Sequence, residues 1–304
     1  MNKSISIIAI NATLKLRSIV IFTSVFFSAC NDEPMQVKPK EDHSNAVVVG
    51  VKLLANVTGR LNDTGITQCS NFFDDSEKYM EGHYHSSNEN CKNIKDGIAG
   101  DVIPKGQDGH SGRDITENNM NDGHAGFSFT KIDHSGKSLA HSAVKWSCVK
   151  DNVTGLIWEV KKSDGLHNKD DRYNWYSTDN MTNGGNIGDA AHDDDICVGY
   201  DKNNHVYCNT QAFVTRVNAK GYCGANDWRL PSRQELSMII NRGSDTRLVI
   251  DKHFFPNTTS DYYWTSSSVA DGTHFAWVIN FNDGSTSMKI KHGDVPVRLV
   301  RGGE

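Results

Sequence analysis

Seven cysteines, thirteen histidines and the aspartate runs at 170–171 and 193–195 are the residues of this 304-residue chain best able to do chemistry. Cysteine can ligate a metal as thiolate, attack as a nucleophile, or join a second cysteine in a disulfide. The cysteines stand at Cys30, Cys69, Cys91, Cys148, Cys197, Cys208 and Cys223, with no Cys-x-x-Cys pair among them, which speaks against zinc. The histidines His83, His85, His110, His124, His134 and His141 lack a His-Glu-x-x-His spacing and read as loop residues. Asp170-Asp171 and Asp193-Asp-Asp195 could offer carboxylates to calcium. They lack the Asp-x-Asn-x-Asp-Gly template and read as a solvated acidic loop. No metal or cofactor is expected.

Enzyme signals also fail. Gly136-Lys-Ser138 has the end of a phosphate loop, but Lys131 stands where the first glycine belongs. No Gly-x-Ser-x-Gly elbow occurs. A ligand-binding surface, if present, should come from Lys289, Lys291, His292, Arg298 and Arg301, which cluster within thirteen residues and could meet sulfate or carboxylate groups. Against this, residues 220–304 hold ten basic and nine acidic side chains, so the cluster also reads as ordinary solvated strand faces. Trp158, Trp228, Trp264 and Trp277 could stack on a sugar, but core packing is the stronger reading for large aromatics. Tyr262, Tyr263 and Trp175 are freer to be exposed. Arg229, set between Trp228 and Leu230, reads as structural.

The N-terminus gives the compartment. Lys3, Lys15 and Arg17 form a basic region free of acids, followed by an apolar run of about eleven residues, Ile19 to Ala29. A membrane-spanning helix needs roughly 20 apolar residues, so this run reads as an export signal. Residues 31 to 50 are charged, contain proline and lack aromatics; they bury too little to offset their ordering entropy and read as a flexible tether. Without the three signal cations, 29 basic side chains face 37 acidic ones, a net charge of −8. That balance excludes nonspecific nucleic-acid binding. In an oxidising compartment the six cysteines after Cys30 allow three disulfides in any of fifteen connectivities. Short loops suggest Cys69–Cys91 and Cys197–Cys208, which leaves Cys148–Cys223.

The elements that must position these residues are sparse before residue 150, where short apolar runs alternate with turn formers such as Asn62-Asp-Thr-Gly65 and Asn121-Asp-Gly123. Val153–Val160 reads as a strand, and residues 163–207 as polar loop anchored by Trp175 and Tyr176. Residues 210–221 read as a helix capped by Thr210 and ended by Gly221, with Phe213, Val214 and Val217 on one face. Ser232-Arg-Gln-Glu235 is a capping box that opens a second helix with Leu236, Ile239 and Ile240 as its stripe. Strands follow at 262–268, 274–281, 285–290 and 295–300. Trp277, Ile279 and Phe281 alternate onto one face, and Asn282-Asp-Gly284 forms the hairpin turn. Two helices followed by strands predict an α+β domain.

Two resemblances refine this. Ser28-Ala29-Cys30 resembles the lipobox of bacterial lipoproteins, which implies cleavage before Cys30 and acylation of its thiol, with Asn31 implying the outer membrane. Asp151-Asn-Val-Thr-Gly-Leu-Ile-Trp158, Cys223-Gly-Ala-Asn-Asp-Trp-Arg-Leu-Pro-Ser-Arg-Gln-Glu-Leu236, Tyr263-Trp-Thr-Ser-Ser267, Ala276-Trp-Val-Ile-Asn-Phe281 and Val297-Arg-Leu-Val-Arg301 together resemble the C-terminal domain of the Legionella collagen-like adhesin. That resemblance implies a C-type-lectin-like fold in which residues 153–160 pair with 295–301. For the namesake it implies trimers that bind sulfated polysaccharide; this chain has no Gly-x-y stalk. Arg229-Leu-Pro-Ser-Arg-Gln-Glu235 also resembles the helix start of formylglycine-generating sulfatase activators. Those enzymes use reduced cysteines late in the domain, whereas no cysteine follows Cys223.

The expected organisation is therefore a signal peptide (1–29), a tether (30–50), a loop-rich β extension (51–147) and a lectin-like domain (148–304) with two helices and a mostly antiparallel sheet. The expected function is a non-catalytic, lipid-anchored envelope protein that binds a glycan, sulfated polysaccharide included, or an envelope or host surface protein. Lys289, Lys291, Arg298 and Arg301 are the candidate ligand contacts. Self-association stays open, and a degenerate relative of the sulfatase activators is the alternative.

Overall fold

The computed structural model describes residues 62–66, 68–69, 89–90, 112–113, 119, 121–191, 196–201 and 203–302. Cys30, Cys91 and the signal and tether segments lie outside these residues. Every named strand pairs antiparallel. β1 (Gln68–Cys69) and β2 (Glu89–Asn90) form a small ladder. β3 (Phe129–Ile132), β4 (Cys148–Asp151), β5 (Ile157–Glu159) and β9 (Val300–Arg301) make a four-stranded sheet in the order β3-β4-β5-β9. β6 (Tyr262–Ser268), β7 (Phe275–Asn280) and β8 (Thr286–Ile290) make a three-stranded one in sequence order. Between these sheets in sequence lie α1 (Thr210–Lys220) and α2 (Arg233–Ser237), so the described chain is an α+β mix.

Local chemistry sets the boundaries. The β4–β5 turn uses Asp151, whose carboxylate accepts the N–H groups of Val153 and Thr154 at 2.9 and 3.0 Å. Gly155 follows at φ +77°, a conformation that glycine reaches without Cβ strain. The strand expected from Val153 therefore begins only at Ile157. Helix α1 is capped by Asn209, whose side chain accepts from Ala212 N, and not by Thr210. The Thr210 hydroxyl instead brackets Tyr176, bonding its N–H and its carbonyl at 2.9 Å each. The Ser232–Glu235 capping box forms as expected. Helix α2 nevertheless ends at Ser237, and Ile239 and Ile240 reach the core from the segment beyond it.

The Asp-Trp-Arg-Leu-Pro block explains itself by what it joins. Arg229 grips Glu235 through two nitrogens at 2.6 and 2.8 Å, while Glu235 also accepts Ser232 N. The backbones of Arg229 and Val300 exchange two hydrogen bonds of 2.9 Å, and Trp228 exchanges two with the Asn218 side chain of α1. One short segment thus ties α1, α2 and β9 together, and Arg229 is structural.

The last stretch of the extension belongs to the same core. β3 pairs with β4 over Phe129–Asp151 to Ile132–Cys148, and Phe127 and Phe129 are buried. Asn62 bonds the backbone of Ser128 in both directions, and Arg242 N donates to Thr64 O. A domain beginning at residue 148 would lack a strand and part of its aromatic packing. The loop from 163 to 191 is likewise no surface excursion. Trp175 and Tyr263, expected nearer solvent, are both fully buried, and Trp175 donates its indole N–H to Thr265 O at 2.8 Å. Trp158, Trp228 and Trp264 are core residues; Trp277 is only half-buried.

Two disulfides staple this arrangement, Cys148–Cys223 and Cys197–Cys208, with sequence separations of 75 and 11. The expected Cys69–Cys91 bridge lies outside the described residues. Because loop-closure entropy grows with loop length, replacing Cys148 and Cys223 by alanine should lower stability by about 4 kcal/mol. The same change at Cys197 and Cys208 should cost about 3 kcal/mol. Urea unfolding of the two double variants checks both the losses and their order.

Candidate functional site

The structure does not gather the four cationic candidates into one surface. Arg298 has no exposure and donates to Glu159 O and, at 2.6 Å, to Thr258 Oγ1. Lys291 is 2 % exposed; its ammonium donates to the carbonyls of Asn183 and Asn186 and lies 4.1 Å from the centre of the Trp175 ring. Burial pulls its pKa down to about 8. Arg301 pairs with Asp227, and His292 meets Asp189 at 2.9 Å. Lys289 alone of the four candidates stays exposed without an ion pair among the described residues, its ammonium 4.6 Å from the Tyr262 ring centre. Strand alternation and turns dispersed what sequence proximity had suggested.

Asp193, Asp194 and Asp195 fall outside the described residues. Asp170 pairs with Lys169, and buried Asp171 accepts from Tyr173 Oη and Val198 N. Among the described residues no group of three or more His, Cys, Asp or Glu could hold a metal, and no helix is long and apolar enough to cross a membrane. His141 lies against His253 with ring centres 4.4 Å apart and the rings tilted by 34°.

The densest polar chemistry is internal. Glu159, at the end of β5, has no exposure; its Oε1 accepts from Lys161 Nζ at 3.0 Å and from His167 Nδ1 at 2.8 Å. Its Oε2 accepts from Leu299 N at 2.8 Å. Burial pushes this carboxyl up, but Lys161 and His167 outweigh it and hold it down at about 2. Lys161, equally buried, is pulled below the ordinary lysine value by desolvation, against the attraction of Glu159. His167 in turn lies flat on Tyr222, ring centres 3.8 Å apart, and the Tyr222 hydroxyl donates to Ser147 O.

Through Lys161 this network borders a surface cleft of about 550 Å³, a size that suits a small ligand or a few sugar units. Three segments line it: the β3–β4 connection with His134, Lys145 and Trp146, the end of β5 with Lys161 and Lys162, and Pro256-Asn257. The connection is pinned from below. Lys131, 2 % exposed, donates to the carbonyls of His141 and Ala143 at 2.9 Å each and sits 3.9 Å from the Trp146 ring centre. The indole N–H of Trp146 donates to Phe254 O. Asn257 donates to Lys161 O, which fixes the opposite wall. Lys145 is exposed, and Lys162 reaches over the Tyr222 ring at 5.6 Å. Asp133, the cleft's acid, spends its carboxylate on the N–H groups of Ser135 and Lys137. The lining thus offers the Trp146 indole and the ammonium groups of Lys145 and Lys162, together with His134 and the hydrogen-bonded carboxylate of Asp133. Such a site can stack a sugar face and pair with anionic substituents.

None of the residues expected to bind ligand lines this cleft. Lys145-Trp146 and Lys161-Lys162 are visible in the sequence, but only the β3–β4–β5 order brings them to one opening.

The described chain is thus a disulfide-stapled α+β domain with a buried polar network and an open cleft. A family model, the Lcl C-terminal domain, matches residues 147–301, and the chain belongs to that family. Membership suggests an adhesin-like bacterial surface or envelope protein. Comparison with curated proteins and with solved structures returns no match.

Glu159 sets a pH dependence. A carboxyl held low in the folded state stabilises the fold above its unfolded pKa, and that contribution is lost as pH falls from about 4.5 toward 2. Glu159→Gln leaves Lys161 buried and unpaired, and should cost about 3–5 kcal/mol at neutral pH. The urea midpoint of wild type should fall between pH 5 and 3, and that of the variant should start lower and fall less.

Proposed function

We propose that this chain is a lipid-anchored, adhesin-like and non-catalytic surface protein whose domain binds an acidic glycan in the cleft beside β5. The observation that carries the reading is the juxtaposition of Trp146 with Lys145 and Lys162 around an opening of about 550 Å³. Sulfated polysaccharide fits best: sulfate keeps its charge at all working pH values, and each ammonium can donate several hydrogen bonds to it. The overall acidity of the chain does not oppose this, because screening confines charge effects to roughly 8–10 Å at physiological salt. A C-type-lectin-like architecture, supported by the pairing of β5 with β9 that joins the two ends of the domain, would present such a cleft on loops over a rigid base.

The anchor in this proposal is acylated Cys30, supported by the Ser28-Ala29-Cys30 sequence after the apolar run. More than one acyl chain gives firm attachment, since each buried CH₂ contributes about 0.8 kcal/mol. An activity related to the sulfatase activators has no support from the described cysteines, four of which are in disulfides.

The test is a glycan array probed with the full chain, followed by titration of sulfated and desulfated forms of any polysaccharide that binds. Binding should require sulfate and weaken as salt rises. Lys145→Glu with Lys162→Glu should reduce affinity at least about tenfold, which corresponds to about 1.4 kcal/mol, without changing the melting temperature. Silence on all polysaccharides with capture of a defined envelope protein would replace the glycan by a protein partner. Sulfate-independent binding that ignores both lysines would remove the cleft from the reading.

A further inference from the structure

We propose that His141 and His253, laid against each other beside Lys131, form an acid-sensitive latch between two walls of the cleft. Neutral rings hold the walls together, and protonation frees the wall that bears Trp146.

The two walls come from segments far apart in sequence. One is the β3–β4 connection, which carries His134, Lys145 and Trp146; the other is Pro256-Asn257, just after His253. Their seam is closed from both sides. Trp146 donates its indole N–H to Phe254 O at 2.9 Å. His141 of the connection lies 4.4 Å from His253, centre to centre. Lys131 of β3, which pins the connection, has its Nζ 3.4 Å from His253 Nε2.

Lys131 dictates the protonation state that the seam needs. An ammonium has three N–H donors and accepts nothing. Two of its donors go to the carbonyls of His141 and Ala143, at 2.9 Å each. The third reaches His253 Nε2, which accepts it only while that nitrogen carries no proton. Protonation there sets an N–H against the ammonium and trades a hydrogen bond for a repulsion. A proton on His141 adds another cation to the same contact. Lys131 is 2 % exposed and has nowhere to go, whereas both rings are exposed. Protons therefore reach the rings without unfolding, and a charged ring relieves the clash by swinging into solvent.

The groups that face His253 agree on the sign. Desolvation beside the seam lowers its pKa below the ordinary imidazole value of 6.5, and Lys131 and His141 lower it further. Asp251, on its own segment, opposes them. That carboxylate is engaged by the N–H groups of His253 at 2.9 Å and His124 at 3.2 Å. Lys252, next in sequence, is exposed. A ring whose pKa is lower in the closed seam than in the open one favours closure above the open value. It loses that contribution as pH falls toward the closed value. The latch holds at neutral pH and yields in mild acid, above the range in which Glu159 titrates.

Its effect on ligand rests on the cleft reading above. Loosening Trp146 weakens glycan binding in acid, whereas added imidazolium charge by itself would strengthen the attraction to sulfate. The sign therefore separates a latch from plain electrostatics.

The test uses the full chain in detergent, from about pH 7.5 to 5. Hydrogen exchange of residues 139–147 and 253–257 is expressed as protection factors, which removes the intrinsic effect of pH, and the His253 ring is titrated by NMR. The ring should titrate below 6.5, and protection should fall at least about threefold with the same midpoint. His253→Gln keeps an acceptor that does not titrate, so its walls should stay protected throughout. His253→Arg places a permanent cation at the seam and should be loose already at neutral pH; His141→Arg gives the same readout should that variant fail to fold. Dextran sulfate should bind wild type more weakly at the acid end, with no such loss for His253→Gln. Walls whose protection ignores the His253 titration overturn the latch. So does a ring that stays neutral throughout, or a glutamine variant that loosens as wild type does. Walls that loosen on cue while dextran sulfate binds at no pH uphold the latch and overturn the cleft reading instead.

Discussion

A carboxylate sealed from water must be neutralised and fully hydrogen-bonded or it destabilises the fold around it. Glu159 meets that demand with an ammonium, an imidazole and a backbone N–H. Each partner comes from a different part of the chain, so the electrostatic requirement becomes a geometric one. Lys161 fixes the chain just after β5, His167 fixes the start of the long loop, and Leu299 N fixes the approach to β9. The neighbouring Arg298 is as deeply buried and binds the Glu159 carbonyl from the other direction. The meeting of the domain's two ends is thereby specified by charge as well as by the short β5–β9 ladder. A ladder of two residue pairs could slip; an ion network of fixed stoichiometry cannot slip without stranding a charge.

The aromatic core follows the same logic of one partner per polar tip. Trp175 and Trp264 each bury a large apolar face while the indole N–H finds a backbone carbonyl on a distant segment, and buried Trp228 donates to Tyr222 O just upstream. Loops that would otherwise run over the surface are held to the sheets at those points, which is how a chain with so little regular structure forms a rigid base. Trp158 is the exception: its indole N–H has no partner in the core. Packing against both sheets outweighs that loss, since a buried aromatic side chain contributes several times the cost of one unmade hydrogen bond.

Legibility in the sequence tracked how local the physics was. The capping box at Ser232, the glycine at the end of α1 and the hairpin turn at Asn282-Asp-Gly284 are contacts within a few residues, and all were readable. The helix cap was misplaced by one residue because Thr210 had a competing long-range partner, Tyr176, that no local pattern reveals. Lys291 and Arg298 looked like surface cations because burial of a charge is improbable without a partner, and their partners lie from 40 to 139 residues away in sequence. The cleft was hidden for the same reason. Its three lining segments are unremarkable separately, and only the strand order of the first sheet assembles them. Trp277 was placed in the core by a correct alternation, but alternation assigns a face and does not say where the covering helix stops.

That last point separates the cleft from the β8 edge by cause. The cleft exists because Lys131 and Asn257 hold polar loops apart over a base that cannot relax, so its shape is set by satisfied hydrogen bonds. The β8 edge exists because α2 is too short to cover the sheet it packs on. A helix of five residues reaches roughly 7–8 Å at 1.5 Å per residue, less than the sheet's length along β7. The capping box and the Arg229–Glu235 pair forbid an earlier start, since moving the cap would break both. The same interaction that ties the helix to the rest of the domain therefore leaves Trp277 and the β8 edge uncovered. An uncovered edge is costly in a protein concentrated at a surface, where chance pairing would aggregate neighbouring molecules.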